Sequence, residues 1–160
     1  MTNVIIKQLV DEDFVNYKKP SLFIAFPSCT FKCEVECGKK MCQNSELAKQ
    51  PNINVTAGTI IARYLQNPIT QAVVAGGLEP LDSWEELQCF IVNFRYRCSD
   101  DIVIYTGYNE EEVVDKIEWL KLYENIIIKF GRYIPNQEKH YDEILGVNLA
   151  SDNQYGVKIS

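Results

Sequence analysis

Short apolar runs alternate with longer amphipathic ones along most of this chain, regularly enough to predict a fold class. Ser21 to Phe26 (SLFIAF) is a continuous apolar run ended by Pro27, and Gln71 to Ala75 is a second, closed by Gly76-Gly77. Both read as strands buried on two faces. Asp101 to Thr106 and Asn125 to Phe130 repeat the pattern and stop at Gly107 and Gly131, and a shorter strand-like start covers Val4 to Leu9. Thr56 to Leu65 has helical spacing and ends at Asn67-Pro68. Asp82 is placed as an N-cap with Glu85 three residues on, ahead of a helical face of Trp84, Leu87, Ile91 and Phe94. Asn109 with Glu112 introduces another helix, whose Val113, Ile117 and Leu120 fall on one side.

Strand, loop and helix repeated in this way predict an α/β fold of mostly parallel strands joined by right-handed crossovers. Four such strands make part of a (β/α) barrel or a small open sheet. Loops at the carboxyl ends of the strands are then the expected functional rim. The unusual residues sit at those ends: a cluster of cysteines after the first run, Gly76-Gly77-Leu78-Glu79-Pro80 after the second, Thr106-Gly107-Tyr108 after the third and Gly131-Arg132-Tyr133 after the fourth.

Composition narrows the class. With 160 residues, 46% of them hydrophobic, the expectation is a single domain over 1–160 that buries enough surface to fold without cross-links. A net charge of -6, with Lys and Arg never more than two together, argues against a nucleic-acid partner. No apolar run is long enough to span a bilayer and the start has no signal-like core, so a membrane partner is not expected and the reading is cytoplasmic. Cysteines clustered in a reducing compartment point to metal or redox chemistry rather than to disulfides. Cys89 and Cys98 read as small buried hydrophobes, and His140 as a surface residue of a polar segment.

The cluster is Cys29, Cys33, Cys37 and Cys42, in the run SCTFKCEVECGKKMCQN. Gaps of three, three and four residues do not form the two close pairs of a closed zinc site, and no C-x-x-C redox motif is present. Soft thiolates on one loop suit an iron-sulfur cluster or zinc.

Cys29-Thr30-Phe31-Lys32-Cys33 and Cys42-Gln43-Asn44 resemble the two ends of the C-x3-C-x2-C motif of the radical S-adenosylmethionine enzymes, with eight residues rather than two between Cys33 and Cys42. Gly76-Gly77-Leu78-Glu79-Pro80 is similar to that family's Gly-Gly-Glu-Pro with one inserted residue. Val103 to Tyr108, Lys129 to Ile134 and Ser151-Asp152-Asn153-Gln154 are similar to segments of the small glycyl-radical-enzyme activases, above all the activase of anaerobic ribonucleotide reductase. The resemblance implies a partial barrel, one [4Fe-4S] cluster and S-adenosylmethionine as cofactors, and an enzyme that cleaves the latter reductively. It implies Cys29, Cys33 and Cys42 as cluster ligands, with Cys37 the alternative to Cys42 as the third. Met41 can lie against an adenine ring, which favours Cys42. Gly76, Gly77 and Glu79 would hold the methionine end of the cofactor, Phe31 and Met41 would shape the loop, and Thr106 would border the nucleoside. The implied partners are a large glycyl-radical reductase and an electron donor such as flavodoxin or ferredoxin. Two other readings stay open: an enzyme of the same superfamily acting on a small molecule, as in its deazaguanine-forming branch, and a non-catalytic zinc or cluster-binding module.

Overall fold

A computed structural model describes residues 3–27 and 49–160. Its centre is a six-stranded, mostly parallel sheet. β3 (Ser21–Phe26), β5 (Ala72–Gly77), β6 (Asp101–Tyr105) and β7 (Ile126–Phe130) lie side by side in chain order, all parallel. Two antiparallel strands flank them, β2 (Gln8–Asp13) beside β3 and β10 (Tyr155–Lys158) beside β7. Each is an edge, so the sheet is open and no closed barrel forms among the described residues. Two small ribbons complete the strands: β1 (Asn3–Ile6) with β4 (Ile53–Thr56), and β8 (His140–Asp142) with β9 (Val147–Leu149).

The sheet winds one way, and its helices lie on one face. α1 (Ala57–Gln66), α2 (Trp84–Arg97) and α3 (Val114–Leu120) pack on alternate strand residues, among them Leu22, Ile24, Val73, Ile104, Ile128 and Phe130. Period-two alternation turns Phe23, Val74, Val103, Tyr105 and Ile127 to the other face. There they meet Tyr17, Leu145 and Leu149, brought by the β2–β3 loop and the tail. The four parallel strands are therefore apolar on both sides, which is why each reads as an unbroken run. No described helix is long and apolar enough to cross a membrane.

Several elements differ from expectation. The start expected as one strand over Val4 to Leu9 is two strands in two sheets, because at Lys7 the chain leaves β4 and its amide donates to Ala25 O. β5 runs on through Gly76 and Gly77, which pair with Ala25 and Phe26. Asp82 is not an N-cap: it lies inside a 3-10 turn, Pro80–Ser83, whose own cap is Glu79, and α2 begins only at Trp84. Glu112 Oε1 does accept from the Asn109 amide at 2.9 Å, but this pair opens a 3-10 turn, Glu110–Glu112, ahead of α3. Thr56 caps α1 as its spacing suggested, accepting from Thr59 N at 3.1 Å.

Candidate functional site

Strand register aligns the carboxyl ends of the parallel strands. Phe26 pairs with Gly77, Ala75 with Ile104, and Tyr105 with Lys129, so the loops that follow leave from one rim. Pro27 follows Phe26 there and leads into the segment carrying Cys29, Cys33, Cys37 and Cys42; those cysteines, Phe31 and Met41 lie outside the described residues.

On the face away from the helices, this rim borders a cavity of about 450 Å³. One wall is the β5 end, Gly76 to Glu79; another is formed by Tyr105, Gly107, Lys129 and Gly131. The tail closes a third side with Lys139, Asn148 and Gln154. Leu149 lines the cavity too, and with Tyr17 and Leu145 it packs against this face of the sheet.

Glycine is required at two of these positions by geometry. Gly77 has φ +82°, and a Cβ there would meet Ala25 Cα at 2.6 Å. Gly131 has φ +103°, and its Cβ would fall 2.8 Å from Asn153 O. Both permit close backbone approach as well as a left-handed turn. Leu78, the residue inserted relative to the resembling motif, continues the ladder by donating to Phe26 O at 3.2 Å.

Glu79 is 6% exposed. Its Oε2 accepts from Leu81 N at 3.1 Å and its Oε1 from Gly107 N at 2.7 Å, so it spans the loops after β5 and β6. Burial pushes its carboxyl up to about 7, against the pull of hydrogen bonds from Gly107, Leu81 and Thr106. A buried carboxylate on a cavity wall is a group whose charge is completed by a cation.

Lys129 is buried as well, with Nζ donating to Thr106 O at 3.2 Å and Gly131 O at 2.9 Å, and it lies 5.7 Å from the centroid of the Tyr105 ring. Arg132, also buried, pairs with Glu112 at 2.6 Å and stands over the Tyr108 ring. Both cations are thus buried at the rim rather than held at the surface. Thr106 is buried, and its Oγ1 accepts from Tyr108 N at 3.0 Å.

The segment Ser151 to Gln154, similar in sequence to an activase tail, packs against the β7 loop. Asn153 Nδ2 donates to Arg132 O at 2.8 Å, and Gln154 Oε1 accepts from the amides of Ala150 and Ser151, each at 3.1 Å. His140 is not the surface residue expected: its ring is half-buried, with Nε2 2.8 Å from Gln154 O and Nδ1 buried without a partner. Cys89 and Cys98 are half-buried against the main core.

Thus Gly76, Gly77, Glu79 and Thr106 converge on one rim, Thr106 through its carbonyl on Lys129 and its bond to Glu79. Lys139, Asn148 and Gln154 were missed as wall residues. Their signal is tertiary: only the fold of the tail brings them there.

Residues 19–154 match the family described as a 4Fe-4S single cluster domain. The chain belongs to that family. The match runs from just before β3 through the cysteine segment to the tail that walls the cavity, so the cluster-binding domain and the cavity-bearing sheet are one unit of sequence. No curated protein and no solved structure matches the chain.

Proposed function

We propose that this 4Fe-4S single cluster domain is a radical S-adenosylmethionine enzyme, most specifically an activase that installs a glycyl radical on an anaerobic ribonucleotide reductase. The observation that carries the reading is the cavity: it opens on the rim from which the cysteine segment departs, and its walls hold one buried carboxylate and one buried ammonium, Glu79 and Lys129. A carboxylate and an ammonium, both bonded to the Thr106–Gly107 loop, suit the α-ammonium and α-carboxylate of a methionine moiety. Its volume of about 450 Å³ lies within the roughly 300–1,000 Å³ of small-molecule sites and suits one cofactor-sized guest.

In this reading the open, one-way-wound sheet is a partial barrel, Cys29, Cys33 and Cys42 hold the cluster, and Phe31 and Met41 shape the cluster loop. Held by those three thiolates, the cluster would supply the one-electron reduction by which a sulfonium cofactor is cleaved, while the rim residues would bind and orient that cofactor. Gly76 and Gly77 let backbone approach the methionine end without side-chain interference. Glu79 and Lys129 fix the orientation of that end. Phe23, Tyr105 and Val147 supply an apolar wall on which the nucleoside can rest.

A protein target is favoured over a small one because the sheet is open, with β2 and β10 as free edges among the described residues. The reducing cytoplasm, with flavodoxin or ferredoxin as electron source, completes the proposal. The test is to mix anaerobically reconstituted protein, dithionite and S-adenosylmethionine with a candidate large reductase. A glycyl-radical resonance that appears only in the full mixture is expected. Cofactor cleavage without radical transfer to any such reductase would remove the activase assignment and leave the small-molecule alternative.

A further inference from the structure

The amides of Leu81 and Gly107 pose an accounting question that the cofactor reading does not answer. Leu81 is 2% exposed, and its N–H opens the 3-10 turn after β5. Gly107 follows β6 on the cavity wall. Buried backbone donors must find acceptors, since an unmade bond costs on the order of its full desolvation penalty. Both find one in the same side chain, the Glu79 carboxylate, at 3.1 Å and 2.7 Å. No strand ladder joins these loops here: the β5–β6 pairing ends at Ala75 and Ile104.

We infer that Glu79 is a positioning residue that braces the loop after β6 against the turn after β5, and so sets the shape of the cavity wall whatever ligand the cavity takes. Charge alone would not need this geometry. A carboxylate that served only to meet a cation could point its oxygens into the cavity, whereas these two oxygens are directed at amides on separate elements. Gly107 belongs to the same device. A Cβ there would approach Glu79 Oε1 only to 3.5 Å, so the close contact is made by the amide.

The charged and titratable groups around the brace, among the described residues, are Asp82 on the same turn, Tyr108 on the β6 loop, Glu112 ahead of α3, and Lys129 and Arg132 from the β7 side. Both oxygens act as acceptors, so the brace bonds favour the ionised carboxylate while burial opposes it.

Amide hydrogen exchange on the cluster-reconstituted protein without S-adenosylmethionine tests the brace independently of any cofactor reading. E79A is expected to lose roughly tenfold protection at the Leu81 and Gly107 amides while β6 and β7 amides are unchanged. E79Q, of the same shape but with one acceptor oxygen, is expected to keep protection at one of the two amides and lose it at the other, so the test stands even where the alanine variant folds poorly. Wild-type protection of both amides in either variant, or a loss spread evenly over the sheet, would overturn the inference.

Discussion

Replacing Gly77 by alanine places a methyl group where the rim has no space for it. The backbone there has φ +82°, and the new Cβ would lie 2.6 Å from both Cα and Cβ of Ala25 and 2.9 Å from Phe26 N. Two of those three atoms are backbone, so relief requires β3 to part from β5 rather than a side chain to turn. The positive φ costs an L-residue about 1–2 kcal/mol, and overpacking adds about 1–3 kcal/mol. The sum is about 3 kcal/mol, which for a chain of this size lowers the melting temperature by about 6–12 °C. Gly107→Ala is the matched control. Its Cβ would meet nothing closer than 3.5 Å, so its expected effect is within about 0.5 kcal/mol of zero. Urea and thermal unfolding of the two variants, followed by circular dichroism under anaerobic conditions, measure the difference. Equal destabilisation, or a Gly77→Ala variant as stable as wild type, would refute the steric reasoning.

Further predictions concern the charges and the cysteines. With Glu79 near 7 in the folded chain and lower when unfolded, the native state keeps its proton longer, so stability declines as pH rises through that window. The loss between pH 5 and pH 8 is about 2–3 kcal/mol in ligand-free wild type; Glu79→Gln removes it, and urea midpoints with the same pH slope in both proteins would count against it. Arg132→Ala breaks a 2.6 Å pair with Glu112 that is only partly solvated and is expected to cost about 1–2 kcal/mol in urea unfolding, with a change under about 0.3 kcal/mol contradicting it. Alanine at Cys29, Cys33 or Cys42 is expected to abolish bound iron and the iron-sulfur absorbance, while Cys37→Ala keeps both. The reverse outcome at 37 and 42 would transfer the third ligand to Cys37.

The parallel strands were readable because burial on both faces forces unbroken apolar runs: Ser21 to Phe26 is predicted and found with the same bounds. Turn chemistry was harder to place. Asn109 and Glu112 form the expected contact, yet they begin a 3-10 turn, and Asp82 yields its capping role to Glu79, because a local motif does not say which residue starts the helix. Strands β8, β9 and β10 were missed. They are three or four residues long, and β10 exists by antiparallel pairing with β7, from Tyr155 with Phe130 to Lys158 with Ile127, so no local period announces it. The site divides the same way. Gly76, Gly77 and Glu79 were visible as a motif, whereas the burial of Lys129 and Arg132 and the wall made by Lys139 and Gln154 depend on the tail folding back across the sheet.

Anaerobically reconstituted protein given dithionite and S-adenosylmethionine, with the products quantified by chromatography, tests whether the cavity and the cluster segment together act on S-adenosylmethionine. The expected products are 5'-deoxyadenosine and methionine in equal amounts, greatly reduced by Cys29→Ala. A fully loaded cluster that yields neither product, with or without a partner reductase, would contradict it.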